Sequence, residues 1–380
     1  MTTSNTPIYA SQARPWLKFY DQKYIDQTMP ACTAFELVCR QNKNRLGETA
    51  LEYYGRKFTY ADFIVNVKKT AAALRAAGLK KGDIATVVSV MTPEIIFAFY
   101  AADMIGATLN LVDPRYSVEG IREYIEEVDS HLLICLNVVY ERCHQAAKRT
   151  HVEHVVVLSP ADSLPLPLAL GYKVKNLDKN KYHSNVVHWK QFLAAGKDES
   201  IAAEPYDPEH ACVVVHTGGT TGSPKGVMLT HAALCAQVDI SASIFPVDGG
   251  DTFLSVLPLS HTYECSIGMI YPFSMGARVV YLDRPPTASV LMPALRAIRP
   301  TVMLIVPLII EKIYRHQVLA KFNSNSFWRT LYRIGFMRRY LHRVAGGKLM
   351  KLFGGRLRFL GIGGAKLDGG AEKFLLEARV

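Results

Sequence analysis

The densest chemistry in the sequence lies in the run His216-Thr217-Gly218-Gly219-Thr220-Thr221-Gly222-Ser223-Pro224-Lys225-Gly226-Val227. Its glycines let the backbone approach an anion closely, and successive N–H groups can form a nest around it. Thr217, Thr220 and Thr221 add hydroxyl donors, and Lys225 adds a mobile positive charge. Everything needed to wrap a polyphosphate lies within twelve residues. The run is not the P-loop of NTPases, in which a Lys-Ser or Lys-Thr pair opens a helix. Here Lys225 is followed by Gly226 and the β-like stretch Val227–Leu229, and Gly347-Lys348 elsewhere is followed by Leu349. Two further segments end apolar runs with chemically useful residues. His261 follows Leu257-Pro258-Leu259-Ser260, and Gly363-Gly364-Ala365 follows Phe359-Leu360 and Gly361-Ile362.

These segments need elements to hold them, and the chain alternates β-rich and helical stretches throughout. Strands are predicted at Ile84–Val90, Thr108–Val112, His131–Leu136, Ala211–His216, Phe253–Leu257, Ala277–Leu282 and Thr301–Ile305. Helices are predicted at Pro93–Ile105, Val118–Val128, His231–Ile244, around Ser266–Phe273 and at Ala288–Ile298. Such alternation implies an α/β fold of right-handed βαβ units, with mostly parallel sheets covered by helices. Ser159–Asn185 holds Pro160, Pro165 and Pro167 before a Lys/Asn-rich stretch, and reads as a long loop between two halves. The halves are residues 1–205 and 206–380, the second carrying the phosphate-type loop. A helix starting near Gly370 runs to the final Val380 with no cap and no following strand, which reads as a domain cut short.

Composition narrows the function classes. With 380 residues the chain suits two or three domains of roughly 150 residues each. Its 49% hydrophobic and 20% charged content excludes wholesale disorder. Seven scattered cysteines, with no Cys-x-x-Cys pair, fit reduced thiols in a cytoplasmic protein. The N-terminus has no signal-peptide pattern, and the apolar runs Val302–Ile310 and Ile95–Val112 are too short or too interrupted to span a membrane. The net charge of +11 is concentrated: twelve Lys/Arg and no Asp or Glu lie between Lys312 and Arg358. That segment predicts one anion-facing surface. At helical spacing Phe327, Leu331, Ile334, Met337, Leu341 and Val344 share a face, Arg329, Arg333, Arg339 and Arg343 lie away from it, and Arg338 intrudes on the apolar side. The segment 327–358 can pack as an ordinary surface helix or contact an anionic membrane surface. Nucleic acid is not expected as a partner, because no recognition motif accompanies the charge.

The phosphate-type run resembles the signature loop of the adenylate-forming superfamily, which comprises acyl-CoA synthetases, luciferases and peptide-synthetase adenylation domains. That signature continues to a Thr-His pair, here Thr230-His231. Gly82-Asp83, Thr92-Pro93-Glu94, Gly106-Ala107 and Asp113-Pro114 fall in the order the family shows. The segment Leu257–Glu264 is similar to the one that carries an aromatic residue or His at the carboxylate site. Gly361–Ala365 is similar to the strand and turn along the adenine. Leu-Pro-Leu-Ser-His followed by Tyr263-Glu264, and Val306–Ile313 followed by a basic helical segment, most resemble long-chain fatty acyl-CoA synthetases. Amino-acid-activating domains carry an Asp in the segment around His261, and none lies between Leu257 and Ser266.

The resemblance implies the large N-terminal domain of an enzyme that uses ATP and Mg²⁺ to turn a carboxylic acid, here a fatty acid, into acyl-adenylate, and then into a thioester with coenzyme A as co-substrate. It implies binding of nucleotide by Thr217, Gly218, Gly219, Thr220, Thr221, Gly222, Lys225, Gly363, Gly364 and Ala365. Lys225 and His261 would carry the catalytic roles, Lys225 at the phosphates and His261 where carboxylate meets phosphate. His231, beside Thr230, reads as a helix-start residue. The family's Tyr-Gly-x-Thr-Glu motif, its ribose-binding Asp and its C-terminal catalytic Lys are not among these residues. The chain is therefore expected to hold no metal ligand, to lack the small C-terminal domain and to be inactive alone. An acyl-AMP ligase that loads a carrier protein, and a non-catalytic module binding nucleotide or lipid surfaces, are the alternative readings.

Overall fold

A computed structural model describes residues 9–25, 28–175, 181–197, 201–217, 225–282 and 286–380. Thirteen strands appear among these residues: β1 (Thr49–Tyr53), β2 (Arg56–Thr59), β3 (Ile84–Val88), β4 (Thr108–Val112), β5 (Leu132–Leu136), β6 (His154–Leu158), β7 (Val186–His188), β8 (Ala211–Thr217), β9 (Lys225–Thr230), β10 (Thr252–Ser255), β11 (Arg278–Tyr281), β12 (Val302–Ile305) and β13 (Phe359–Ile362). They form two sheets. One has the order β13-β12-β10-β11-β1-β2, and the other the order β7-β6-β5-β3-β4-β8-β9. All neighbours run parallel except the hairpin-like pairs β1–β2 and β8–β9. The α/β reading with mostly parallel sheets is what the structure has. β5, buried on both faces, is a continuous apolar run for that reason, and β4, equally buried, admits Asn110 because its side-chain amide donates to Thr86 Oγ1 and Tyr124 O.

The helices that matter for the site are α1 (Ala34–Asn42), α2 (Tyr60–Ala76), α3 (Pro93–Met104), α4 (Val118–Glu127), α5 (Leu166–Lys175), α6 (His231–Ile244), α7 (Ala288–Ile298), α8 (Pro307–Ile313), α9 (Ser326–Arg333), α10 (Gly335–Leu352) and α11 (Gly369–Ala378). Their starts follow local chemistry. Thr59 and Asp62 make a capping box for α2, Pro93 opens α3, and the Thr230 hydroxyl accepts from Ala233 N–H at the start of α6. Two stretches wind as π-helix, Glu264–Ile270 and Tyr314–Leu319. Tyr60, Phe63 and Phe273 lie deep in the larger core, where the rings of Phe63 and Phe273 stack at 5.2 Å. Among the described residues no helix is long and apolar enough to cross a membrane.

Four sequence expectations change. The sheets do not divide at residue 206. β1 and β2 join the sheet of β10–β13, while β8 and β9 join that of β3–β7. The partner of β1 is distant in sequence, with Leu51 opposite Val279, so no local pattern could reveal it. Ser159–Asn185 is not all loop, because α5 occupies part of it. Pro165 and Pro167, read as breakers, stand before and within the first turn, where proline is tolerated. The final helix α11 is capped at both ends. Asp368 accepts from Gly370 and Ala371 N–H, and Arg379, at φ 60°, donates its N–H back to Leu375 and Leu376 carbonyls. Lastly, the basic segment is two helices, not one. Ile334 is extended (ψ 116°), so the chain restarts its rotation at Gly335. Phe327, Ile334 and Val344 are exposed as a result, while Leu341 is buried.

Candidate active site

β8 leaves the sheet at Thr217 and β9 enters it at Lys225, and the antiparallel register sets those two residues opposite each other. Gly218, Gly219, Thr220, Thr221 and Gly222 lie outside the described residues, so the structure speaks of the loop's two ends only. Thr217 and Lys225 are both exposed there. Glu127, the last residue of α4, fastens the two ends together. Its Oε1 accepts the Gly226 N–H at 2.9 Å, and its Oε2 accepts from His216 Nε2 at 3.2 Å. The His216 ring also lies 4.0 Å from the Tyr124 ring. Burial lowers the His216 pKa despite the carboxylate beside it.

The other candidate residues sit at carboxyl ends of parallel strands, where ligands of open α/β sheets bind. His261 is exposed on the turn after β10, with its N–H bonded to Pro258 O at 3.1 Å. Asp113 follows β4, gripped by Arg115 Nε at 2.9 and 3.1 Å. Burial works to raise the Asp113 pKa, but the hydrogen bonds and charge of Arg115, helped by nearby His261, hold it below its ordinary value. Gly363, Gly364 and Ala365 follow β13. Tyr263 packs against Gly361 and Gly363, and a Cβ on Gly363 would meet the Tyr263 ring at 3.0 Å. Gly364, at φ +85°, takes a left-handed conformation that suits glycine. The structure thus joins the His261 turn and the glycine turn through Tyr263, whose phenol burial pushes up to about 12.

A cavity of about 380 Å³ lies between β9 and α6 on one side and the start of the π-helix on the other. Leu229, Leu234, Gln237, Thr262, Tyr263 and Ile267 are among its lining residues. It links the strand that begins at Lys225 with the two residues that follow His261. π-Helical turns recur at functional sites because the extra residue re-aims side chains. Here the turn buries Glu264, 1% exposed, against Gly268, with Oε1 bonded to the Ser255 hydroxyl. Burial raises the Glu264 pKa to about 7. Glu94, at the start of α3 and bonded to Ser163, is raised by burial to about 7 as well.

Sequence reasoning missed Glu127, Tyr263 and Glu264. Tyr263 and Glu264 stood inside a singled-out segment, so their signal was adjacency to His261, but Glu127 had none beyond its place at a helix end. His231 does start a helix, and it is also the partner of a buried carboxylate. Its Nδ1 lies 3.0 Å from Asp103 Oδ1 without aligned hydrogen-bond geometry, and Cys212 Sγ donates to the same oxygen at 3.1 Å. Among the described residues these three are the one group of His, Cys, Asp or Glu that converges closely enough for a metal, within 4.8 Å. Nitrogen and sulfur donors do not suit Mg²⁺, which takes oxygens. The set ties α6 to α3 and β8 and does not fit a magnesium site.

The two ends of the loop, the cavity and the two strand-end turns stand at the ends of strands in two mostly parallel sheets, the setting in which open α/β domains bind their ligands. The chain belongs to the AMP-binding enzyme family, whose profile matches residues 38–379. It is 25% identical over 355 residues to a long-chain-fatty-acid–CoA ligase of Bacillus subtilis, covering 90% of this chain and 63% of that protein. It is 26% identical over 332 residues to long chain acyl-CoA synthetase 2 of Arabidopsis thaliana (81% and 48%), and 27% over 276 residues to 4-coumarate–CoA ligase CCL1 of Humulus lupulus (72% and 46%). The chain therefore spans about half to under two thirds of these relatives. In fold it is similar to a long-chain-fatty-acid-CoA ligase of Archaeoglobus fulgidus, with TM-score 0.69, 17% identity, and coverage of 93% of this chain and 61% of that one. It is also similar to a red-emitting luciferase of Phrixothrix hirtus, with TM-score 0.71, 14% identity, and coverage of 93% and 60%.

Proposed function

We propose that this chain carries most of the substrate-binding domain of a ligase that joins a fatty acid to coenzyme A at the expense of ATP. In the first step a carboxylate oxygen attacks the α-phosphorus of ATP, forming acyl-adenylate and releasing pyrophosphate. In the second the coenzyme A thiolate attacks the acyl carbon and expels AMP. Catalysis of the first step requires an in-line nucleophile and stabilised charge on the leaving group. On this reading Lys225, the hydroxyls of Thr217, Thr220 and Thr221, and the N–H groups of Gly218, Gly219 and Gly222 hold the leaving pyrophosphate. His261 lines the junction of carboxylate and α-phosphate, and Gly363, Gly364 and Ala365 lie along the adenine. Magnesium would arrive on the nucleotide's own phosphates.

The observation that carries the reading is the cavity between α6 and the Thr262–Ile267 segment, reached from the residues that flank both the loop and His261. Leu229, Leu234 and Ile267 give it apolar walls, which suits an acyl chain. The fatty-acid choice is supported by the Bacillus relative, which matches 90% of the chain, whereas the 4-coumarate ligase of Humulus matches 72%. The sequence relatives named above are all CoA ligases or acyl-CoA synthetases by name, so an acyl-AMP ligase and a non-catalytic module are not favoured. Seven free cysteines, six of them buried, suit a cytoplasmic setting.

The test is calorimetric titration of the 380-residue protein with hydrolysis-resistant acyl-sulfamoyl adenosines. The palmitoyl compound is expected to bind at least about tenfold more tightly than the 4-coumaroyl one. The opposite order would refute the fatty-acid choice, and binding of neither would refute the site. With ATP, Mg²⁺, palmitate and coenzyme A the same protein is expected to release no thioester, since the family's Tyr-Gly-x-Thr-Glu motif is not in its sequence. Robust turnover would show that the site is complete within these residues.

A further inference from the structure

The outer face of α10 holds none of the residues assigned above to acid activation. Phe336, Tyr340 and Val344 follow one another at four-residue spacing, so they form one stripe, and they are 67%, 63% and 44% exposed. Arg339, Arg343 and Lys348 stand three or four residues from members of that stripe, Lys351 lies one turn beyond Lys348, and all four are exposed. The other side of the helix packs inward through Leu341, His342, Gly346 and Leu349. The preceding helix α9 adds an exposed Phe327 with exposed Arg329 and Arg333. The arginine that faces inward, Arg338, is matched by Glu377 through bonds of 3.0 and 3.2 Å. No acidic residue between Lys312 and Arg358 neutralises the outward ones.

A groove of about 280 Å³ opens beside this stripe. Its walls include Phe322, Trp328, Leu341 and Leu349, and Val344 and Lys348 of the outer face form part of its lining. Aromatic rings on the crest of a helix, flanked by guanidinium and ammonium groups, match what a bilayer interface offers. The rings reach the acyl boundary while the cations stand among lipid phosphates. A nucleic-acid surface would want those cations on the crest, without the apolar groups between them.

We propose that the α9–α10 face docks on an anionic lipid bilayer. The docking is separate from acid activation, and its test involves neither ATP nor an acid, so either reading can fail alone. Purified protein is sedimented with vesicles of phosphatidylcholine alone, and with vesicles half phosphatidylglycerol, from about 0.03 to about 0.3 M salt. Binding is expected to the anionic vesicles only and to weaken as salt rises. Arg339→Gln with Arg343→Gln should weaken it at low salt by about 25-fold, from about fivefold per basic residue near the surface. Phe336→Ser with Tyr340→Ser should remove the binding that survives at high salt. These side chains are exposed, so unchanged thermal unfolding confirms that the variants are folded. Absence of binding to anionic vesicles would overturn the proposal, and so would equal binding by both variants. Tighter capture of a duplex DNA oligonucleotide than of anionic vesicles would overturn it too.

Discussion

Replacing Glu264 by Gln should remove a large part of the pH dependence of folding stability. The side chain is 1% exposed, one oxygen is bonded to Ser255, and the other has no hydrogen-bond partner. Burial moves its pKa from 4.5 to about 7. A shift of about 2.5 units corresponds to roughly 3 kcal/mol at 1.36 kcal/mol per unit. Below 4.5 the group is protonated in both folded and unfolded chains, and its stability contribution is fully present. Between 4.5 and about 7 the unfolded chain releases the proton while the folded chain keeps it, so stability falls as pH rises. Above about 7 the folded chain must ionise too, and the loss stays constant. Gln is neutral throughout. Glu94, with the same shift, is present in both proteins and cancels in the difference. Urea unfolding of both proteins from about pH 4.5 to about pH 8 should therefore show the variant gaining about 3 kcal/mol on the parent across that range. A difference that stays constant with pH would refute the argument that burial keeps this carboxyl protonated.

Two further outcomes concern the loop. In a ligase where this loop acts together with the family's other motifs, Lys225→Ala should slow pyrophosphate release by on the order of 10²-fold, the usual loss for one preorganised donor; an unchanged rate counts against the phosphate role. Glu127→Ala should weaken ATP binding about fivefold, the equivalent of roughly 1 kcal/mol for a charged hydrogen bond discounted for partial exposure. Glu127→Gln, which keeps an acceptor for the Gly226 N–H, should lose less, and calorimetry showing identical affinities for both variants and the parent would dismiss the clamp.

What the sequence shows and hides here follows from range. α6 and α7 run from His231 to Ile244 and from Ala288 to Ile298, matching the expectation, because caps and turn residues mark their ends locally. The strand Thr108–Val112 is equally legible, since a five-residue buried run between turn residues has few alternatives. The predicted helix around Ser266–Phe273 is present but begins as π-helix, a distinction that apolar spacing does not encode. Sheet membership was hidden, because β1 chooses β11 over two hundred residues away. The clamp was hidden for the same reason, with Glu127 and Gly226 separated by 99 residues. The segments singled out by type and spacing are local runs, whereas the contact that ties the loop's ends to Glu127 spans the chain and leaves no local pattern.

The crossing of strands between sheets has a consequence for the site. The loop's ends belong to β8 and β9 in one sheet, while His261 and the Gly363 turn follow β10 and β13 in the other. Neither sheet alone brings these residues together. Three connections do so from different depths. Asp113, beyond β4 of the first sheet, lies within electrostatic reach of His261. The cavity shares walls from α6 and the π-helix. Deeper, the Tyr60 hydroxyl on α2 donates to the carbonyls of Phe273 and Ala277, at 3.2 and 3.0 Å. Because the continuous core beneath is close-packed, a shift of one sheet would be felt at the other and would move Thr217 and Lys225 relative to His261. On the proposed reading, the placing of Lys225 against the carboxylate pocket depends on sheet-to-sheet packing, and substitutions in the buried Tyr60–Phe63–Phe273 group should act on the site without touching a ligand.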